Sequence, residues 1–271
     1  MRPTVGFIGL GSQGGPMARR IVAAGFPTLL WARRAEALAP FADTTARIAA
    51  SPADLAARCD LVAVCVVDDA GVRAVAAQLL PAMRAGSVLV IHSTVHPRTC
   101  LELVADAAAR GIMILDAPVS GGGPGAAAGT LTTMVGGAAG ALAIARPVFE
   151  SFSGRIVHLG GVGAGQLAKL VNNALMAANM ALGDAALRAG DALGIDRAAL
   201  AELVDASSGR SYGFEVRARI PDLAGWKHGA ALLAKDVGLL GAVLQGDPAF
   251  GPLRDAAEPF LAAITGPRTA G

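Results

Sequence analysis

The chain has 271 residues, of which 54% are hydrophobic and 16% charged, enough apolar material for one large core or two ordinary ones. Its formal net charge is +2 with acids and bases interspersed, and no basic tract or aromatic-basic alternation points to nucleic acid as a partner. Cys59, Cys65 and Cys100 are odd in number and lack metal-ligand spacing, so neither a disulfide framework nor a metal site is expected.

Residues 4–8 read as a strand of β-branched and aromatic residues. No charged stretch and cleavage site precede it, so the expected location is the cytoplasm. Gly9-Leu10-Gly11-Ser12-Gln13-Gly14 follows the strand and opens a helix over 14–24, stopped by Gly25. Glycines at this spacing allow a tight turn and let a pyrophosphate approach the backbone, and the helix N-terminus offers free amides to the anion. The placement between strand and helix favours a dinucleotide-binding loop over a mere glycine-rich turn.

A second strand, 28–31, runs into Trp31-Ala32-Arg33-Arg34. An NAD site usually carries an acid there for the ribose hydroxyls. Two arginines favour a 2′-phosphate, hence NADP(H) with NAD(H) as the second choice; the plainer alternative is a pair of solvated residues at a strand end. The continuous apolar run 61–67 reads as a strand buried on both faces, with Cys65 as a small core residue. Strands are also predicted at 88–92, 112–115, 131–135 and 155–159. This rhythm with intervening helices implies an α/β fold: an N-terminal Rossmann doubly wound, mostly parallel sheet over 1–162. Within it, Asp116-Ala117-Pro118-Val119-Ser120-Gly121-Gly122-Gly123 stands at a strand's C-terminal end. A hydroxyl followed by open amides suits a carboxylate; a flexible turn is the equal alternative.

From residue 163 on the pattern is helical, an all-α domain over 163–271 for substrate binding and dimerisation, with helices near 165–193, 196–207, 229–245 and 252–264 and a frayed tail over 265–271. The first would be roughly 40 Å long. Its apolar residues cover most of its circumference, which predicts burial on several sides. Mean hydropathy is +0.52, yet the longest apolar stretch, 174–182, contains Asn179, and no membrane partner is expected. Lys169 and Asn173 are four apart and share a face. A lysine on an apolar helix is costly unless paired or functional, and the chain has only three, Lys169, Lys227 and Lys235. Burial would favour its neutral form, able to exchange a proton with a substrate oxygen; a snorkelling side chain is the plainer reading. Lys235-Asp236 by itself is an ordinary surface pair. His92, His158 and His228 read as structural or exposed, and Trp226 and Phe214 as cleft or core.

Taken together in this order and spacing, these segments resemble the β-hydroxyacid dehydrogenase family, which includes 3-hydroxyisobutyrate dehydrogenase, tartronate semialdehyde reductase and glyoxylate/succinic semialdehyde reductase. The resemblance runs from Val5–Gly11 through Asp116–Gly122, Gly129-Thr130-Leu131 and Met134–Gly137 to Lys169 and Lys235-Asp236. It implies an oxidoreductase that moves hydride between NADP(H) and a small carboxylate-bearing substrate, a β-hydroxy acid or its semialdehyde. By resemblance Lys169 is the catalytic lysine and Asn173 orients the substrate. Ser120, Gly121 and Gly122 receive the carboxylate, and Thr94 lies near nicotinamide and substrate. Arg33 matches the arginine of NADPH-using members, and Lys235 matches a cofactor-contacting lysine. Val66 and Val67 stand for a usual cofactor-lining Leu-Pro pair, and His96 replaces a commonly small residue beside the substrate. A homodimer or homotetramer through the helical domain is expected. The rivals are imine reduction on the same fold, where another residue usually replaces the lysine, and a catalytically silent cofactor-binding module.

Overall fold

The computed structural model describes residues 2–266. The expected frayed tail lies outside the described residues from 267 on, while Thr265 closes a helix. The chain divides into two compact units, Met1–Lys169 and Leu170–Gly271.

In the first unit β1 (Val5–Ile8), α1 (Gly14–Ala23), β2 (Thr28–Trp31), β3 (Arg47–Ile48), α2 (Pro52–Arg58), β4 (Leu61–Val64), α3 (Asp69–Leu79), β5 (Val88–Ile91), α4 (Pro97–Ala108), β6 (Met113–Asp116), β7 (Val119–Ser120), α5 (Gly122–Ala128), β8 (Leu131–Gly137), α6 (Ala139–Phe149) and β9 (Ser153–Gly160) follow in order. They build one sheet in the order β3-β2-β1-β4-β5-β6-β8-β7, with β9 also on β8. From β3 across to β6 all neighbours are parallel, whereas β8 runs antiparallel to β6 and β7. The chain winds outward in both directions from the β1–β4 pair. In such sheets ligands bind at this switch point, beyond the strands' C-terminal ends.

The apolar runs alternate between two cores, as a strand covered on both faces must. Val5 and Phe7 of β1, with Leu61 and Ala63 of β4, face one cluster. Ile8, Val62 and Val64 face the other. The predicted strand over 61–67 is shorter than its apolar run: Cys65, Val66 and Val67 leave the sheet after Val64, and Val67 is exposed. The Val66 N–H bonds the Ser93 hydroxyl instead of a ladder partner. Similarly, β5 stops at Ile91. His92 beyond it is buried among Phe7, Phe149 and Phe152 and donates from Nδ1 to the Ala117 carbonyl at 2.6 Å. Burial pushes its pKa down to about 4, so the ring is neutral and structural. Burial likewise pushes the Cys59 and Cys65 thiols up to about 12, leaving them unreactive.

The helix α7 (Ala164–Ala192) begins in the first unit and continues into the second, where α8 (Arg197–Asp205), α9 (Tyr212–Ala218), α10 (Lys227–Leu244) and α11 (Gly251–Thr265) follow. Leu170, Ala174 and Ala177 of α7 meet Val237 and Leu240 of α10 and Leu261 and Ile264 of α11 in a separate core. Phe214 packs on Gly183 and Trp226 on Gly229, so both serve packing within this unit. The burial of α7 on several sides, expected inside the helical domain or between subunits, is incomplete within one chain: Val171, Leu175 and Leu182 are half exposed along one face. Among the described residues no helix is long and apolar enough to cross a membrane.

Candidate active site

Five turns of the first unit gather at the C-terminal ends of its strands, joined by close packing and hydrogen bonds. Gly9, after β1, has φ +99°, and a Cβ there would lie 2.1 Å from the Cys65 carbonyl oxygen, so the turns after β1 and β4 touch backbone to backbone. Val66, in the turn after β4, bonds Ser93 Oγ at 2.8 Å, which ties that turn to the one after β5. On the other side, a Cβ on Gly123 would meet the Ser12 carbonyl oxygen at 2.7 Å. That contact sets the start of α5 against the first glycine loop. Val119 and Ser120 pair with Thr133 and Thr132, and Gly122 opens α5, so this segment is a strand-to-helix turn.

The glycine loop suits a phosphate-bearing ligand. Gln13, at the N-cap of α1, makes no side-chain cap bond and the first turn carries no acid, which leaves the helix start open to an anion, while the Gly15 amide is taken by the Gly11 carbonyl at 2.9 Å and Pro16 has no N–H. Leu10 is half-buried and Gly11 faces open space. Arg33 and Arg34 are exposed just beyond β2.

The remaining turn leads into α7. Asp116, buried at the end of β6, accepts from the Gly163 and Gln166 amides, both at 2.7 Å, and so caps the helix with a carboxylate at its positive end. Burial pushes the Asp116 carboxyl pKa up, and these two amides pull it back. Gln166, fully buried, donates Nε2 to the Ser93 carbonyl at 2.8 Å and accepts at Oε1 from the Val95 amide at 3.1 Å. Thr94 sits between those two residues and is half-buried. Lys169, three residues after Gln166, closes the first unit and is 8% exposed. His96 is used by the backbone: its Nδ1 accepts from the Arg98 amide at the start of α4, and its own amide bonds Asp69.

In the second unit Asn173 is buried and donates Nδ2 to Asp236 Oδ2 at 2.6 Å, while Asn172 donates to Asn173 Oδ1. Lys235 Nζ lies 3.2 Å from Asp236 Oδ1, an atom that has no hydrogen bond of acceptable geometry. Asp236 is therefore no ordinary surface residue: it is 4% exposed and fixes the amide of Asn173.

Sequence reasoning passed over Gln166, Asp116 and Ser93 as individual residues. The available signal was a glutamine and an aspartate in otherwise apolar or glycine-rich surroundings at element ends, where an unpartnered polar group would be costly. Among the described residues no cluster of His, Cys, Asp and Glu could hold a metal.

Residues 4–160 match the family model described as the NAD binding domain of 6-phosphogluconate dehydrogenase. Residues 163–265 match the one described as NAD-binding of NADP-dependent 3-hydroxyisobutyrate dehydrogenase. The chain is 34% identical over 249 residues to the mitochondrial 3-hydroxyisobutyrate dehydrogenase of Homo sapiens, covering 87% of this chain and 74% of that one. It is 36% identical over 268 residues to the NAD-dependent L-serine dehydrogenase of Pseudomonas aeruginosa, covering 92% and 88%. The solved Mycobacterium tuberculosis 3-hydroxyisobutyrate dehydrogenase with L-serine superposes with a TM-score of 0.85 at 30% identity, over 98% of this chain and 96% of that one. A Streptomyces aurantiacus imine reductase, at 24% identity and a TM-score of 0.67, shares the fold alone.

Proposed function

The chain belongs to the β-hydroxyacid dehydrogenase family and uses a nicotinamide dinucleotide, and from that premise we propose that it interconverts a small β-hydroxy acid and its semialdehyde, with NADP(H) as the preferred cofactor. The observation that supports the reading is the hydrogen-bonded linkage of the Val66 turn, the Thr94 turn and the start of the Lys169 helix, with Gly9 of the glycine loop packed on Cys65 in the first of these turns. The bound nicotinamide supplies hydride transfer. The chain's own residues do the rest. Gly9 to Gly14 hold the pyrophosphate, with Val66, Val67, Thr94 and Lys235 as further cofactor contacts. Ser120, Gly121 and Gly122 take the substrate carboxylate, and Asn173, oriented by Asp236, positions the reacting group. Lys169 gives a proton to the carbonyl oxygen in reduction and removes it from the hydroxyl in oxidation.

The reading is tested by following absorbance at 340 nm with both cofactors against 3-hydroxyisobutyrate, L-serine, tartronate semialdehyde, succinic semialdehyde, glyoxylate and a cyclic imine. Turnover of a hydroxy acid or semialdehyde is expected. Turnover of the imine alone would replace this reading by its rival, and no turnover at all would favour the silent module.

The NADP preference rests on Arg33 and Arg34. Charge-assisted bonds from a guanidinium to a phosphate each contribute about 1.5–3 kcal/mol. The double change Arg33→Ala, Arg34→Ala should therefore lower kcat/KM for NADP about 10-fold or more and move that for NAD less than about threefold. A native enzyme that favours NAD tenfold would remove the assignment.

Self-association goes with the same reading. The half-exposed Val171, Leu175 and Leu182 form one apolar stripe on α7 that a second copy of the helical domain would cover. Light scattering should give a dimer or tetramer; a monomer at micromolar concentration would exclude this use of the stripe.

A further inference from the structure

We infer that Gln166 is a positioning residue for the reaction: its side-chain amide locks the Thr94 turn to the first turn of α7 and so sets where Lys169 stands relative to Thr94. The inference rests on the acid/base reading of Lys169 and assigns a role to a residue that touches neither substrate nor cofactor in that reading.

The geometry is specific. The Ser93 carbonyl requires a donor and the Val95 amide requires an acceptor, and they flank Thr94 on both sides. A primary amide satisfies both at once, Nε2 to Ser93 O at 2.8 Å and Oε1 from Val95 N at 3.1 Å. Because each partner has one polarity, the amide has one orientation. Gln166 is 0% exposed, so water cannot substitute for either bond. Its own backbone amide is held by Asp116 Oδ2 at 2.7 Å, which leaves the residue fixed at both ends. Lys169 follows at three residues, one turn along the same helix face. Ser93 extends the link, since its hydroxyl accepts from Val66 in the turn after β4. A hydrophobic residue of the same length would fill the space at position 166 and release both backbone groups. The Thr94 turn and the helix could then shift independently by a fraction of an ångström, and displacement of about 1 Å at a reacting group costs about 100-fold in rate.

The test compares Gln166→Met, Gln166→Glu and Lys169→Ala by steady-state kinetics on the whole protein. The readouts are the deuterium isotope effect on kcat with substrate labelled at the hydride-donating carbon, the dinucleotide Kd and the thermal midpoint. Gln166→Met should lower kcat about 10- to 100-fold and raise the isotope effect as the chemical step becomes slower than product release. The dinucleotide Kd should rise by a smaller factor than kcat falls, because the Thr94 contact is loosened while the glycine loop, which no bond from Gln166 reaches, still holds the pyrophosphate. Gln166→Glu keeps the shape but sets a carboxylate oxygen against the Ser93 carbonyl, and it should shift kcat and the isotope effect the same way; it serves where Gln166→Met does not fold. A residue that only stabilised the fold would lower the midpoint and leave kcat and isotope effect of the folded enzyme unchanged, and that result overturns the inference. The two readings separate cleanly. Loss of kcat in Lys169→Ala with native kcat in both Gln166 variants removes the Gln166 role alone. Native kcat in Lys169→Ala removes the acid/base reading itself.

Discussion

Lys169→Ala is expected to lower kcat by at least about 10²-fold, and by up to about 10⁴-fold, the range over which a positioned acid/base group contributes. That corresponds to about 3–5 kcal/mol of barrier. The expectation rests on chemistry and placement. Lys169 is 8% exposed on the first turns of α7, beyond a helix start held by Asp116 and Gln166. A side chain so enclosed is costly to keep as lysine unless partners or function repay its desolvation. Lys169→Arg separates proton transfer from charge. A guanidinium keeps the positive charge but stays protonated and cannot cycle a proton. Its kcat should therefore fall with that of the alanine variant, while KM for the carboxylate substrate stays closer to native. Steady-state assays at 340 nm, with the dinucleotide Kd measured separately and expected within about threefold of native, would show this. Native kcat in either variant removes proton transfer from Lys169.

The parts of the molecule that were legible in the sequence are those where one physical requirement dominates a run of residues. Strands β1, β4 and β5 are buried on both faces, so their residues are apolar without alternation, and the run reads directly as a central parallel strand. The long helix α7 was equally plain from its length. What stayed hidden depends on contacts between distant residues. The run 61–67 gave no sign that Val66 would turn out of the sheet, because its partner, the Ser93 hydroxyl, is 27 positions away. The helix α5 over Gly122–Ala128 was not foreseen from its glycines and alanines; its start packs against the first glycine loop, where Gly123 meets the Ser12 carbonyl. Among the candidate residues, Lys169, Asn173 and the glycines could be singled out because their chemistry is unusual where they stand. Gln166 and Asp116 could not, since their meaning lies in the backbone groups they meet. Asp236 gained its meaning only from the buried Asn173 amide opposite it.

Gly14→Ala and Gly11→Ala, two identical changes three residues apart in the same loop, should fail in opposite ways. A Cβ on Gly14 would stand 2.0 Å from the Gly9 carbonyl oxygen, 3.1 Å from the Phe7 ring and 3.2 Å from the Cys65 Cβ. The first of these is backbone in the tightest part of the turn and cannot swing aside, so α1 must lift from β1. Such overpacking against backbone should cost at least about 3 kcal/mol, a large share of a typical domain's stability. The thermal midpoint of the apoprotein should drop accordingly. Gly11 has no atom within 4 Å of its would-be Cβ and no left-handed φ, so Gly11→Ala should leave that midpoint unchanged. Its methyl would instead occupy the open space through which a pyrophosphate approaches the backbone. The dinucleotide Kd should rise about 10-fold or more, and the midpoint shift on adding cofactor should shrink as mass action requires. Native affinity in a folded Gly11→Ala would mean the dinucleotide does not lie against that face. An unchanged midpoint in Gly14→Ala would mean the β1–α1 turn can open without cost, contrary to the close packing of Gly9, Gly14 and Cys65.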